Sequence, residues 1–445
     1  MTDETARMLP EAPSRWHHLH EEWSSFSDFG TTTSVLNAEE SGAGVPVYQN
    51  EFWTAKQRAG HSLHEISYRA CYKPQLPDFF ITRLCRPGDL VYDPFMGRGT
   101  TLIQAHLRGC RAAGNDVNPL SRILCAPRLD PPRQEEVRRR LEEVTLSQES
   151  GGDDELLVFF HPQTLGEIQS WQRYFKTRQD DGTFDRVDGW LRMVALNRLT
   201  GHSSGFFSVY TLPPNQATSV TAQKAINLKR NQIPPYRDTK KILLKKSKNL
   251  LSDPLPPEFR SSPALFSTAS AEDTPLIGPD TVDLIVTSPP FLDVVNYTLD
   301  NWMRQWFCGL PVPEGAIWQC KKLPDWLERM AATLVECQRV LKPGGVLAFE
   351  VGEIRGGSLK LELEVIRAAQ GTALIPEAIL INAQDFTKTA NCWGVDNNKA
   401  GTNTNRIVIF RKAGGEERER APAKPGRREE VHAAGHVAQG TFAFS

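Results

Sequence analysis

Long apolar runs are missing from this chain of 445 residues. No stretch approaches the ~20 residues that cross a bilayer, and the opening MTDETARMLPEAPSRWHHLH lacks the apolar core of a secretory leader. A cytoplasmic protein without membrane contact is expected. Cysteine is sparse, eight in all, and no two form a C-x-x-C pair, so neither a zinc ribbon nor a thioredoxin-type site is indicated and free buried thiols are expected. His17, His18 and His20 cluster with no cysteine at ligand spacing, and no metal is expected there. Net charge is small as well: 52 Lys+Arg against 53 Asp+Glu excludes an overall basic coat, but not a local basic patch. What is present is ordinary globular material, 40% hydrophobic and 24% charged. At ~150 residues per domain this length suits two or three domains, or one α/β domain with a large insertion.

Punctuation along the chain favours the second arrangement. Residues 1–45 are polar and read as a loosely ordered segment with a few Trp and Phe anchors; 413–445 mixes charges with few apolar groups and reads as a disordered tail. Within 46–130, Leu90 to Tyr92 reads as a short apolar strand, Thr101 to Leu107 as a helix ended by Gly109, and Cys110 to Gly114 as a second strand. Within 281–412, strands are expected at 282–286, 346–353 and 406–410, with helices at 325–341 and 361–370. Alternating strands and helices imply one mostly parallel sheet. The stretch 131–280 differs: it is Pro-broken and mainly helical, and 224–248 holds nine Lys/Arg against the single acid Asp238.

Two constellations carry chemistry. In Asp93-Pro94-Phe95-Met96-Gly97-Arg98-Gly99-Thr100, two glycines follow a strand and precede a helix, allowing close backbone approach to a ligand. Neither a full G-x-G-x-x-G nor a Gly-Lys-Ser/Thr is present. Asp116 ends the next strand, where a carboxylate hydrogen-bonds a ribose diol. In Thr287-Ser288-Pro289-Pro290-Phe291, two prolines fix φ beyond a buried strand. Ser288 Oγ and the Pro289 carbonyl become acceptors beside an aromatic face, a set suited to a planar base bearing an amino group.

Together these residues resemble the amino-methyltransferases of DNA, specifically the cytosine-N4 group. Asp93 to Thr100 matches their D-P-F-x-G-x-G-T cofactor motif, and Thr287 to Phe291 the T-S-P-P-aromatic form of their catalytic motif. Tyr72-Lys73-Pro74 resembles the segment that closes over the methionine end of the cofactor, and Lys342 to Gly345 the turn before the fifth strand. The resemblance implies a Rossmann-like α/β methyltransferase fold: a mostly parallel seven-stranded sheet, helices on both faces, and a large inserted target-recognition region over 131–280. The motif order is that of the family's α arrangement. Phe291 replaces the commoner Tyr, and the acidic residue of the third strand is sought at Glu272 or Asp273.

The implied cofactor is S-adenosylmethionine, held by Tyr72, Lys73, Asp93, Pro94, Phe95, Gly97, Gly99, Thr100 and Asp116. The implied substrate is double-stranded DNA, whose target cytosine flips out and stacks on Phe291 while Ser288, Pro289 and Pro290 hold its N4 amine. Lys224, Lys229, Arg230, Lys240, Lys241, Lys245 and Lys246 would contact phosphates. A cognate restriction endonuclease is the partner such an enzyme would have. Adenine-N6 methylation is the closest alternative and RNA N-methylation a further one. C5 methylation needs a cysteine beside the catalytic proline, where Phe291 stands.

Overall fold

The computed structural model describes residues 12–414 apart from 55–59, 70, 212–216, 261–262, 291, 293–296, 312–317, 319, 321, 353–358 and 384–403. Among them nine strands form one sheet: β1 (Ser34–Leu36), β2 (Val47–Asn50), β3 (Leu90–Asp93), β4 (Arg111–Asn115), β5 (Leu265–Ser267), β6 (Val282–Thr287), β7 (Leu341–Gly352), β8 (Leu374–Ala383) and β9 (Thr404–Lys412). Their spatial order is β1-β2-β8-β9-β7-β6-β3-β4-β5. β5, β4, β3, β6 and β7 run parallel, and β9 lies antiparallel between β7 and β8.

Side-chain alternation explains why helices cover both faces. Val346, Ala348, Ile407 and Ile409 pack into one apolar cluster, with helices Gln75–Leu84, Thr100–Leu107 and Pro119–Leu129. Leu347, Phe349, Val408 and Phe410 pack into another, with helices Leu323–Val340 and Leu361–Ala368. This is a Rossmann-like α/β fold. The chain leaves β3 outward to β4 and β5, then returns to β6 on the other side, so β3 and β6 flank the switch point where such sheets bind ligands.

Two additions enlarge the expected seven strands. Residues 12–50 are not a loose lead-in: helix Ala12–Ser25, β1 and β2 extend the sheet, β2 pairing parallel to β8. Trp16, Trp23 and Phe26 are buried, Phe26 lying 5.2 Å from the Phe52 ring and 6.1 Å from that of Phe79. Each buried ring contributes roughly 1.5–3 kcal/mol, an anchor that polar neighbours in the sequence concealed. β8 carries Pro376 at a register shift, where a missing N–H is tolerated.

The second addition is the inserted region. Helices Gln134–Glu143, Pro162–Asp180, Arg186–Leu196, Val220–Arg230 and Thr239–Leu250 fill it. Trp171 donates to Thr239 Oγ1 at 3.1 Å and Trp190 to Ser247 Oγ at 2.9 Å. Their apolar cluster is continuous with that on one face of the sheet. The inserted stretch ends before its expected limit of 280, because β5 already belongs to the sheet, pairing with β4. Of the expected tail, 413–445, residues 415–445 lie outside the described residues, while Ala413 is buried and donates its N–H to the Ala373 carbonyl at 2.8 Å.

Candidate active site

A cleft opens beyond the carboxyl ends of β3, β4 and β6. Its floor is the glycine turn after β3. Gly97 takes φ +47°, and its N–H donates to Asp116 Oδ2 at 2.9 Å. Asp116 Oδ1 accepts the Asn118 N–H at 2.8 Å. Burial pushes the Asp116 carboxyl up, and these backbone donors pull it back. Asn118 caps helix Pro119–Leu129 through its side-chain oxygen, which accepts the Leu120 N–H at 3.1 Å. Its buried Nδ2 has no partner among the described residues, although Asn118 lines the cleft.

Gly99 does other work. It takes φ +79°, and a Cβ there would lie 2.1 Å from Cys125 Sγ. It permits close packing of the turn on helix Pro119–Leu129 and does not line the cleft.

Asp93 joins the two halves of the site. Its buried carboxylate accepts from Thr287 Oγ1 at 2.7 Å, Tyr72 Oη at 2.8 Å and the Phe95 N–H at 3.0 Å. Burial is the largest influence on it, and the carboxyl is pushed up to about 6 despite these donors. Tyr72 Oη also lies against Thr101 Oγ1, which donates to the Val286 carbonyl at 3.1 Å. The network fastens the end of β3 to the end of β6, and Ser288 therefore faces the glycine turn across the cleft.

Ser288 and Pro290 line that cleft, whereas Pro289 is buried beneath them. The Pro290 carbonyl accepts from Trp326 Nε1 at 2.9 Å, which holds the proline pair in place. Phe291 lies outside the described residues. Behind Ser288 stands Glu350 of β7, 4% exposed. Burial pushes its carboxyl up, while hydrogen bonds from Ser288 and Asn405 lower it; Asn405 Nδ2 lies at 3.0 Å.

The cleft thus gathers Tyr72, Asp93, Pro94, Phe95, Gly97, Thr100, Asp116, Ser288 and Pro290 from the sequence expectations. Lys73 and Gly99 are not among its lining residues. Glu272 is engaged by Arg329 at 3.0 Å and Asp273 is exposed, so Ser270 and Ala271 line the cleft at this edge instead. Sequence reading missed Tyr68, Arg69, Asn118, Trp318 and Glu350. Of these only Asn118 had a local signal, an Asn-Pro pair at the start of a helix. The Trp318 ring meets the Phe95 ring edge-on at 5.6 Å.

Of the seven expected phosphate contacts, Lys224, Lys229, Arg230 and Lys245 are exposed and make no ion pair among the described residues. Lys246 is 12% exposed and lies 3.6 Å from Glu65; Lys240 donates to the Val144 carbonyl; Lys241 pairs with Asp238 at 3.0 Å. Lys240 and Lys246 face inward on helix Thr239–Leu250, a packing no charge count reveals. Among the described residues no cluster of His, Cys, Asp or Glu could hold a metal, and no helix is long and apolar enough to cross a membrane.

The chain is 37% identical over 75 residues to the Type II methyltransferase M.MjaII of Methanocaldococcus jannaschii, 17% of this chain and 14% of that protein. It is 29% identical over 128 residues to the Type II methyltransferase M.MvaI of Kocuria varians, 28% of this chain and 25% of that protein. The chain thus matches a quarter or less of the length of these relatives. A solved geranyl diphosphate methyltransferase in complex with SAM aligns with 77% of this chain and 86% of its own, at 10% identity and a TM-score of 0.31. TrmN from Thermus thermophilus aligns with 79% of this chain and 51% of its own, at 12% identity and a TM-score of 0.30. Residues 16–120 match the family model described as DNA methylase, and that stretch holds Tyr72, Asp93, the glycine turn and Asp116. Over the half of the cleft that would hold a nucleoside-like cofactor, this chain is similar to DNA methylases.

Proposed function

We propose that the protein is an S-adenosylmethionine-dependent DNA methyltransferase acting on the exocyclic N4 amine of cytosine. The observation that carries the reading is one cleft lined by Gly97 and Asp116 on one side and Ser288 and Pro290 on the other.

The cleft's chemistry fits the cofactor. Asp116 offers a carboxylate for a ribose diol, and the unpartnered Asn118 Nδ2 offers a donor for a purine ring nitrogen. Val117, Phe95 and Ala271 provide apolar surface for the ring. Tyr72 and Thr100 would border the methionine end. When bound, S-adenosylmethionine supplies an electrophilic methyl group.

The chain's own residues orient the acceptor. Ser288 Oγ and the Pro289 carbonyl accept hydrogen bonds from the cytosine amine, turning its lone pair toward the cofactor side and stabilising the positive charge that develops on nitrogen. Glu350 fixes the Ser288 hydroxyl from behind. Phe291 stacks on the flipped ring, contributing ~1–3 kcal/mol. The exposed Lys224, Lys229, Arg230 and Lys245 meet phosphates, and bases are read by other parts of the inserted region.

The test is methyl transfer from radiolabelled S-adenosylmethionine to duplex DNA, followed by digestion to nucleosides. N4-methylcytosine is expected. Label in N6-methyladenine, in RNA alone, or nowhere refutes the reading. Ser288→Ala is expected to lower kcat by about 10²–10³-fold, the range for losing one preorganised polar contact at the reacting centre, without weakening S-adenosylhomocysteine binding. Methylome sequencing of cells making the protein gives the recognition site, and a restriction endonuclease cutting that same site would be its cognate partner.

A further inference from the structure

The turn that closes helix Val220–Arg230 stands outside the cleft and is built with unusual care. It carries the two most exposed large aliphatic side chains among the described residues, Leu228 at 85% and Ile233 at 87%. One exposed aliphatic needs no explanation. A rigid mount for two of them does.

That mount is specific. Asn231 takes φ +45°, and the Gln232 N–H donates to the Asn227 carbonyl at 3.0 Å. Gln223 and Gln232 both donate from Nε2 to the Tyr210 carbonyl, at 3.1 and 2.9 Å. Asn227 Nδ2 donates to the Val158 carbonyl at 2.7 Å. These amides fix the turn to the body of the inserted region, and the Arg230 guanidinium lies 3.7 Å over the Tyr210 ring. Lys224, Lys229 and Arg230 are exposed on the same helix and make no ion pair among the described residues.

The segment that leads into this helix, at the end opposite the turn, is linked to the cleft wall. The Ala217 carbonyl, just before this helix, accepts from Trp302 Nε1 at 3.3 Å. Trp302 belongs to helix Tyr297–Cys308, whose Asp300 pairs at 2.9 Å with Arg69, a lining residue of the cleft.

We propose that Leu228 and Ile233 form an apolar wedge that enters the base stack of duplex DNA and occupies the gap left when the target nucleotide turns into the cleft, with Lys224, Lys229 and Arg230 on the flanking phosphates. The inference rests on the DNA-methyltransferase reading above. Extruding a base sacrifices stacking worth a few kcal/mol, and an apolar side chain in the gap restores part of it. Phosphate contacts supply attraction but cannot fill a hole. A turn held rigid beforehand loses little backbone freedom on insertion, which suits the amide clamp around Asn227.

The test uses the full chain with Leu228→Ser and Ile233→Ser combined, both at exposed positions where substitution leaves stability nearly unchanged. Methylation is measured on a duplex bearing the mapped site, and on the same duplex with the target base mispaired and so easier to extrude. We expect about a tenfold or greater loss of kcat/KM on the paired site and less than about twofold on the mispaired one, since only the former needs help in opening. Lys224→Ala with Lys229→Ala should instead weaken both substrates alike and reduce the salt slope of binding by about two. Equal losses on paired and mispaired sites, or none, overturn the wedge alone. So does a double variant that turns an associated wild-type protein into a monomer by sedimentation, which would make this surface a protein contact. A wild-type protein that labels no DNA overturns the functional reading and the wedge with it.

Discussion

Gly97 and Gly99 stand two residues apart in one turn, yet adding a methyl group to each should fail for different reasons. At Gly99 an alanine meets two penalties. The left-handed backbone at φ +79° costs about 1–2 kcal/mol for a residue with a Cβ. The new Cβ, 2.1 Å from Cys125 Sγ and 2.8 Å from Cys125 Cβ, overpacks the contact at about 1–3 kcal/mol more. Gly99→Ala is therefore expected to lower unfolding free energy by about 2–5 kcal/mol. At Gly97, φ is +47° and the nearest atom to a new Cβ, Tyr68 Cε1, lies at 3.7 Å. Only the backbone penalty of about 1–2 kcal/mol applies there. The methyl group would nevertheless stand between Tyr68 and Cys71, both lining the cleft, and should obstruct the ligand. Urea unfolding measures the first quantity and calorimetric titration with S-adenosylhomocysteine the second. Adding Cys125→Ala removes the closer clash and leaves the Cβ contact, so it should restore part of the stability of Gly99→Ala and none of the affinity of Gly97→Ala. If Gly99→Ala proves no more destabilising than Gly97→Ala, or Cys125→Ala brings no relief, the division of labour between the glycines is refuted.

Three further outcomes follow from the same contacts. Asp93 has a folded pKa raised from 3.8 to about 6, so the native state binds the extra proton, and stability attributable to this group is full below 3.8 and lost as pH rises through about 6. Urea unfolding against pH should show that decline relative to Asp93→Asn; parallel profiles would exclude it. Asp116→Asn keeps an acceptor for the Gly97 N–H but loses the charge, and should weaken S-adenosylhomocysteine binding by about 10–100-fold, measured by calorimetry, as expected for a charged hydrogen bond. Unchanged affinity would remove the ribose assignment. Deleting residues 1–50 strips β2 from the edge of β8 and uncovers Phe79, so the truncated chain should aggregate on size exclusion. A monomer with an unchanged thermal midpoint would show that the first 50 residues are dispensable.

Local physics made much of this protein readable in advance. Strands β3, β4 and β6, the helix after β3, and the turns at Gly97 and Ser288-Pro289-Pro290 follow from periodicity, glycine and proline within a few residues of one another. The motifs at Asp93 and Ser288 therefore named both sides of the cleft. The basic excess over 224–248 was equally visible, because charge is counted without coordinates.

Tertiary structure alone decided the rest. Asp93 meets Tyr72 and Thr287, and Ser288 meets Glu350, across separations in sequence that no local pattern encodes. Gly99 proved to be a packing residue because Cys125 lies against it, and Lys246 turned inward because Glu65 and the apolar cluster lie there. Residues 12–50 look polar read in line, yet four buried rings and the pairing of β2 with β8 order them. Backbone conformation is set by near neighbours; burial, ion pairing and the partner of a given strand are set by whatever the fold brings alongside.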